Sequence, residues 1–413
     1  MEKEIHISYQ KKSFDLGEIQ IPGSKSESNR ALLINALCPV SGEVLNLSSA
    51  RDTQLMNSLL KTTSSEIDVK DAGTVMRFLT TYFALTNQTK TITGTDRMQE
   101  RPIGILADAL LKIGVSIDYI AKEGYPPLQI HGFKNQSTNS ITIDGSISSQ
   151  YLSALLMLAP TLPQGLILNV KNGATSKPYL MMTLELMQHF GVTVAHSNHT
   201  YEVKPTHYVY KPFTVEPDWS SASYWYSIFV LSDAEKLKLP GYRANSLQGD
   251  RALVELMVPF GVKTTFDSKG AILTKNEKNI PQAIDFINNP DLAQTFAVIC
   301  AALEHSCIFT GLHTLKIKET DRIAAIKNEL QKFGADFVEY KDKWAVIPPK
   351  GRDWKTKTVE INTYHDHRMA MAFAPLACIL PSVIIESPEV VNKSYPSYWS
   401  DLEMAGFKIK TQE

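Results

Sequence analysis

The chain has 413 residues, 43% hydrophobic and 21% charged, with a formal net charge of -1. At roughly 150 residues per domain this allows two or three domains with ample core. Balanced charge excludes a general nucleic-acid or anionic-membrane surface, so any cationic site must come from local clustering.

The start, Met1-Glu2-Lys3-Glu4-Ile5-His6, lacks the apolar core of a secretory signal, and no apolar run reaches the ~18 residues of a membrane span. A cytoplasmic protein is expected. Ile5–Tyr9 alternates apolar and polar residues and reads as a strand. Pro22-Gly23-Ser24-Lys25-Ser26-Glu27-Ser28-Asn29-Arg30 then runs into the apolar stretch Ala31–Leu37. A turn, hydroxyl caps and an apolar run mark a helix N-terminus, whose free N–H groups and partial positive charge hold anions. Lys25 and Arg30 add full charges there. The likeness of Gly23-Ser24-Lys25-Ser26 to a P-loop fails, because the Gly five residues before a Gly-Lys pair is absent.

The same cap-then-helix pattern recurs at Asp71–Phe78, Asp144–Met157, Glu216–Trp225, Asn289–Val298 and His365–Phe373. Interleaved with it, amphipathic helices end at Gly114, Gly191, Gly261, Gly334 and Gly406, at intervals of about 70–77 residues. Ser140–Ile143, Leu166–Val170 and Thr358–Ile361 read as further strands. The chain is thus an α/β protein built from about six repeats, with the apolar helices buried and the amphipathic ones over the sheets. A boundary is expected near 212–217, where the cap-then-helix pattern restarts; the periodicity equally allows a simple split in the middle.

Cations stand at or beside these helix starts: Lys25, Arg30, Arg77, Arg101, Lys318, Arg322, Arg368 and Lys393. Singly each reads as a solvated charge; together, beside Gly and Pro, they suggest a cleft that collects anions. The acid–base candidates are Asp291, otherwise a helix cap, and Glu319, otherwise an i,i+3 partner of Arg322. His365-Asp366-His367 cannot turn both imidazoles to one metal on a helix, so no metal is expected. No G-x-G-x-x-G opens a helix, so no nicotinamide or flavin cofactor is expected either. Cys38, Cys300, Cys307 and Cys378 lack C-x-x-C spacing and read as reduced thiols.

An ordered set of motifs resembles the 5-enolpyruvylshikimate-3-phosphate synthase family of enolpyruvyl transferases (3-phosphoshikimate 1-carboxyvinyltransferases). It comprises Pro-Gly-Ser-Lys-Ser (22–26) with Ser28-Asn29-Arg30, Ala-Gly-Thr-Val-Met-Arg (72–77), Glu-Arg-Pro-Ile-Gly (100–104) and Asp-Gly-Ser-Ile-Ser-Ser-Gln (144–150). Ser-Lys-Pro-Tyr (176–179), Lys-Glu-Thr-Asp-Arg (318–322) and Asp-His-Arg-Met-Ala (366–370) complete it.

The resemblance implies a two-domain, inside-out α/β barrel-like fold, each domain of three βαβαββ units with buried parallel helices. It implies a lobe of 22–215, a discontinuous lobe of 1–21 plus 216–413, and an active site in the interdomain cleft. The reaction implied is transfer of the enolpyruvyl group of phosphoenolpyruvate to the 5-hydroxyl of shikimate 3-phosphate, in aromatic amino-acid biosynthesis, by a cytoplasmic monomer. By the same resemblance Lys25, Ser26, Arg30, Ser148, Ser149, Gln150, Ser176, Tyr179, Asp291, Thr314 and Lys318 bind shikimate 3-phosphate. Lys25, Gly73, Arg77, Arg101, Gln150, Arg322, Arg368 and Lys393 surround phosphoenolpyruvate. Asp291, Glu319 and Lys25 are the implied catalytic set.

Asp71, Thr314, His365 and Phe78 depart from the residues common in the family, which bears on affinity more than on reaction type. Gly73 is kept, so ordinary sensitivity to glyphosate is expected. The alternatives are a UDP-N-acetylglucosamine enolpyruvyl transferase, disfavoured because Thr95–Gly104 holds no Cys, and a non-catalytic binding protein of the same fold.

Overall fold

The computed structural model describes residues 3–9, 15–146, 148–173 and 176–412; Ile147 of the 144–150 motif lies outside them. Two compact units are present: Met1–Gly23, Ser49–Arg51 and Glu216–Glu413 in the first, Ser24–Ser48 and Asp52–Val215 in the second.

One four-stranded sheet pattern occurs five times among the described residues. Two parallel strands, joined through a helix in four of the five sheets and separated by the second unit in the other, lie beside two strands that pair antiparallel. Glu66–Asp68 pairs parallel with Lys90–Thr93 across the helix Gly73–Leu85, and Leu128–Phe133 then Val115–Tyr119 follow antiparallel. The parallel pairs of the other four sheets are Ser140–Asp144 with Leu166–Lys171, Asp15–Glu18 with Lys236–Pro240, Ala283–Asp285 with Cys307–Thr310, and Thr358–Ile361 with Ser382–Glu386. In the last sheet the N-terminal strand Glu4–Tyr9 lies between Ser382–Glu386 and Phe407–Gln412. That pairing satisfies the backbone of both neighbours and binds the start of the chain to its end. The sixth repeat is shortened, with only Val44–Leu45 beside Phe213–Thr214.

The first unit keeps its helices inside. Trp219–Leu231, Ala293–Ala302 and His367–Phe373 pack against one another, and nearly every residue of the three is buried. A helix that is apolar all round has no face to give to solvent, so it goes to the core. Small hydroxyl residues fill the close contacts, as where Ser223 Oγ meets Thr295 Oγ1 at 3.0 Å. Carboxylates are therefore confined to the helix starts, at Asp218, Asp291 and Asp366.

The expected strands at 5–9, 140–143, 166–170 and 358–361 are present. Gly114 ends its helix in the left-handed conformation, φ 116°. Gly261 corrects the expectation of a helix end. The helix Leu253–Met257 stops before Pro259, and Gly261 sits at an irregularity of the strand Phe260–Phe266, with φ 87°. Proline removes the N–H a helix would need there, and glycine suits the bulge that follows.

Candidate active site

In the first unit, three carboxylates, Asp291, Glu319 and Asp366, and two guanidinium groups, Arg322 and Arg368, are drawn together at or near helix starts. Asp291 lies in the 3-10 turn Pro290–Leu292 that leads into Ala293–Ala302. Its Oδ1 accepts from Arg322 Nη1 at 2.8 Å and its Oδ2 from Arg368 Nη2 at 3.0 Å, while Lys318 Nζ stands 3.9 Å from Oδ1. Glu319 Oε2 accepts from Arg322 Nη2 at 2.9 Å, and Lys393 Nζ is 3.6 Å from Glu319 Oε1.

Arg322 opens the helix Arg322–Gln331 and is 1% exposed. Its Nε donates to Asp366 Oδ2 at 2.6 Å, so one guanidinium joins three carboxylates. Asp366 also caps the helix His367–Phe373 by accepting from Arg368 N at 2.8 Å. Two left-handed residues, Tyr364 and His365, deliver Asp366 to that place, with φ of 52° and 56°. Such a conformation is sparsely populated off glycine and needs holding. Buried Glu329 supplies part of the hold, accepting from Tyr364 Oη at 2.7 Å and Asn362 N at 3.0 Å.

The electrostatics follow from this geometry. Burial alone would push the Asp291 carboxyl up, but Arg368, Lys318 and Arg322 outweigh it and hold the carboxyl well below the usual carboxylate range. Burial would weaken Arg322 as a cation, yet Asp366, Glu319 and Asp291 raise it above its ordinary value. Arg322 and Arg368 stand in the first turns of their helices, where free N–H groups and the helix dipole add to their attraction for anions, while Lys318 and Lys393 stand at the ends of 3-10 turns.

The second unit carries its own constellation. Lys25 begins the helix Lys25–Ala36, capped by Ser24, and its Nζ donates to buried Asp52 Oδ2 at 3.2 Å. One turn on, Arg30 is 2% exposed. Its hydrogen bonds go to neutral acceptors: Thr183 Oγ1 at 2.8 Å, Ser26 O at 2.9 Å and Ser153 Oγ at 3.3 Å. The guanidinium lies 5.4 Å from the Phe78 ring centre and 6.0 Å from that of Tyr179. Burial pulls its pKa down to about 10, partly opposed by Tyr179, which leaves it charged at neutral pH.

Arg101 lies against Gly73: a Cβ on Gly73 would stand 2.6 Å from Arg101 Nη2 and 2.9 Å from Nη1. Arg101 Nη1 also donates to Asp71 O at 3.5 Å, and the Arg101 Nε is buried without a hydrogen-bond partner. Arg77 turns its guanidinium to the backbone, donating to Pro102 O at 2.8 Å and Gly73 O at 3.3 Å. Its place is thus that of a brace for the segment carrying Arg101. Ser148 caps the helix Ser149–Leu158, and Gln150 Nε2 donates to Thr74 Oγ1 at 3.3 Å. Ser176, left-handed at φ 51°, precedes the helix Lys177–His189, which carries Tyr179. In the first unit Thr314 is buried in the turn His313–Ile317 that ends at Lys318.

The structure therefore gathers Asp291, Lys318, Glu319, Arg322, Arg368 and Lys393 in one unit, and it pairs Arg101 with Gly73 and Arg30 with Tyr179 in the other. Sequence reasoning missed Asp366 and Asp52, the carboxylates holding Arg322 and Lys25, and the acceptors Ser153 and Thr183. Asp366 had a signal, as a cap directly before His367-Arg368; Asp52, 27 residues from Lys25, had none. Among the described residues no group of His, Cys, Asp and Glu has the arrangement of a metal site. Cys38, Cys300, Cys307 and Cys378 are free thiols, and no described helix is long and apolar enough to cross a membrane.

The family model of EPSP synthase (3-phosphoshikimate 1-carboxyvinyltransferase) matches residues 11–67 and 61–402. A 3-phosphoshikimate 1-carboxyvinyltransferase of Bacteroides fragilis is 46% identical over 398 residues, covering 96% of each chain. One of Histophilus somni is 37% identical, over 94% of this chain and 96% of its own. An EPSP synthase structure from Acinetobacter baumannii has a TM-score of 0.79 over the full length of both chains at 20% identity, a likeness of fold.

Proposed function

The chain belongs to the EPSP synthase family, and we propose that Asp291, Glu319 and Lys25 carry its chemistry. The protein is a 3-phosphoshikimate 1-carboxyvinyltransferase: it moves the enolpyruvyl group of phosphoenolpyruvate onto the 5-hydroxyl of shikimate 3-phosphate and releases phosphate. The UDP-sugar alternative is not favoured by these relatives.

The hydroxyl oxygen bonds to C2 of phosphoenolpyruvate as Asp291 takes its proton. The C2–C3 double bond takes a proton at C3 from Glu319, giving a tetrahedral ketal phosphate. The C2–O bond to phosphate then breaks, C3 gives its proton back, and the enol ether forms. Arg322, Arg368 and Lys393, with Lys25 and Arg101, hold the carboxylate and phosphate of phosphoenolpyruvate. Gly73 leaves room beside Arg101, Arg77 braces that segment, and Gln150 is a further contact for the same substrate. Arg30, Ser26, Ser148, Ser149, Gln150, Ser176, Tyr179, Thr314 and Lys318 hold shikimate 3-phosphate. Fixed cations of this kind stabilise charge as it develops and need no late reorganisation.

The observation that carries this reading is the placing of both proton-transfer carboxylates on one buried guanidinium, Arg322, at 2.8 and 2.9 Å. For Arg30 the support is its burial among neutral acceptors, which leaves a charge suited to a phosphate. We propose further that the enzyme works as a cytoplasmic monomer without metal or cofactor; light scattering tests the monomer.

The test is phosphate release from shikimate 3-phosphate and phosphoenolpyruvate by the wild type, Asp291→Ala and Glu319→Ala. Loss of about 100-fold or more in each variant is expected of proton-transfer groups. Full activity in either variant removes that residue from the chemistry. Activity on UDP-N-acetylglucosamine in place of shikimate 3-phosphate would overturn the substrate assignment.

A further inference from the structure

Behind Asp291 lies a carboxylate that the reaction as described does not use. Asp250, in the 3-10 turn Gly249–Ala252, is 3% exposed. Its Oδ2 accepts from Ser220 Oγ, in the first turn of Trp219–Leu231. Its Oδ1 accepts from Asn289 Nδ2 at 3.1 Å, and the same nitrogen donates to Gly249 O at 2.9 Å. Asn289 is fixed along its backbone too: its N donates to Phe286 O and its O accepts from Leu292 N, both at 3.0 Å. Only Pro290, whose φ is locked by its ring, separates Asn289 from Asp291.

The far side of Asp291 is tied to the same helix. Arg368 donates to Asp291 O at 3.3 Å, to Asp291 Oδ2 at 3.0 Å and to Tyr224 Oη at 3.4 Å. Ser220 and Tyr224 are one turn apart on Trp219–Leu231. That helix thus clamps Asp291 from two directions, through Asp250 and Asn289 on one side and through Arg368 on the other.

We propose that Asp250 is a positioning residue for Asp291, acting through Asn289 to set the carboxylate where it meets the substrate hydroxyl. The inference rests on the reading of Asp291 as the base. A neutral side chain would serve as well for a purely structural link between two helix starts. A carboxylate here is instead penalised by burial and by the neighbouring Asp291 charge, which together raise its pKa, with Ser220, Arg368 and Asn289 opposing. Its negative charge also favours proton uptake by Asp291, which is the step the base performs.

The test is a double-mutant cycle on phosphate release, with shikimate 3-phosphate and phosphoenolpyruvate as substrates. Asp250→Asn keeps the shape but removes the charge and turns one of the two oxygens that accept from Ser220 and Asn289 into an NH2 group, which loosens the hold on Asn289. It is expected to lower kcat about 10- to 100-fold, the scale of a small misplacement of a catalytic group. The KM for phosphoenolpyruvate should stay within about twofold. In an Asp291→Ala background the same substitution should leave the residual rate within about twofold, because the group it positions is gone.

Asn289→Ala, which cuts the link without touching Asp250, should repeat the pattern and serves if Asp250→Asn folds poorly by thermal melting. A wild-type kcat in both variants overturns the proposal. So does an equal fall in the wild-type and Asp291→Ala backgrounds, which marks a general structural effect. Asp291→Ala at the wild-type rate overturns the base reading and this inference with it. An inactive Asp291→Ala beside a fully active Asp250→Asn overturns the inference alone.

Discussion

Arg322 donates to Asp291 through Nη1 at 2.8 Å, so the cation proposed for phosphoenolpyruvate and the base proposed for the hydroxyl hold each other. Arg368 grips the other oxygen of the same carboxylate at 3.0 Å. Asp291 therefore stands where an anionic substrate must compete, and while it is held there it is a weak base. On the proposed roles, a phosphate or carboxylate binding these arginines would compete with Asp291 for them and leave it freer to take a proton.

Asp291→Asn should separate binding from turnover. Turnover is expected to fall at least about 100-fold, while phosphoenolpyruvate binds about 3- to 10-fold more tightly because its internal competitor has lost its charge. Calorimetric titration of the variant checks this. Weaker binding than in the wild type would mean that Asp291 helps hold the substrate.

The same contact makes a statement about acid stability. The folded pKa of Asp291 is depressed, so the group contributes stability that is full above its unfolded value of about 3.9 and is lost as pH falls toward the folded value. Asp250 has the opposite sign: its raised folded pKa penalises folding as pH rises through that value. Urea unfolding should find Asp291→Asn less stable than the wild type by about 1–3 kcal/mol at pH 7, with the gap closing below about pH 4. A gap that widened in acid would reverse the assignment.

Gly73→Ala tests the packing beside Arg101. A methyl group there would stand 2.6 Å from Arg101 Nη2, a distance that forces the guanidinium to move. Because the obstacle is the end of a flexible side chain, the fold should survive with little change in melting temperature. The KM for phosphoenolpyruvate should rise about 10-fold or more, with a smaller change for shikimate 3-phosphate. Equal effects on both substrates would argue against a local role for Arg101.

Arg30→Lys tests the second constellation. The guanidinium makes three bonds in fixed directions, to Thr183, Ser26 and Ser153, and lies near the Phe78 and Tyr179 rings. A lysine ammonium cannot reproduce that fork. The KM for shikimate 3-phosphate should rise about 10- to 100-fold while that for phosphoenolpyruvate stays near the wild-type value. An unchanged KM for shikimate 3-phosphate would place its phosphate elsewhere.

The repeat was legible because the buried helices are apolar on nearly every side and follow a small polar segment, a pattern local to ten or so residues. Asp366 and Asp218 cap as their positions suggested, and the strands at 140–143 and 358–361 lie where alternation put them. Gly261 misled because it looks like the glycines that follow helices; Pro259 had already ended the helix and a strand had begun. The shortened repeat at Val44–Leu45 and Phe213–Thr214 was illegible because its two strands are only two residues each and lie far apart in the chain.

The sequence by itself determined the helix starts, the identity of the charged groups beside them and, through the order of its motifs, the family. Tertiary structure alone decided which partner each buried carboxylate holds: the cations Arg322 for Asp366 and Lys25 for Asp52, and the amide of Asn289 for Asp250. Periodicity and capping act over a few residues and are written in local order. These two ion pairs and one hydrogen bond join groups 44, 27 and 39 positions apart, respectively, and form only where the folded chain brings distant segments side by side.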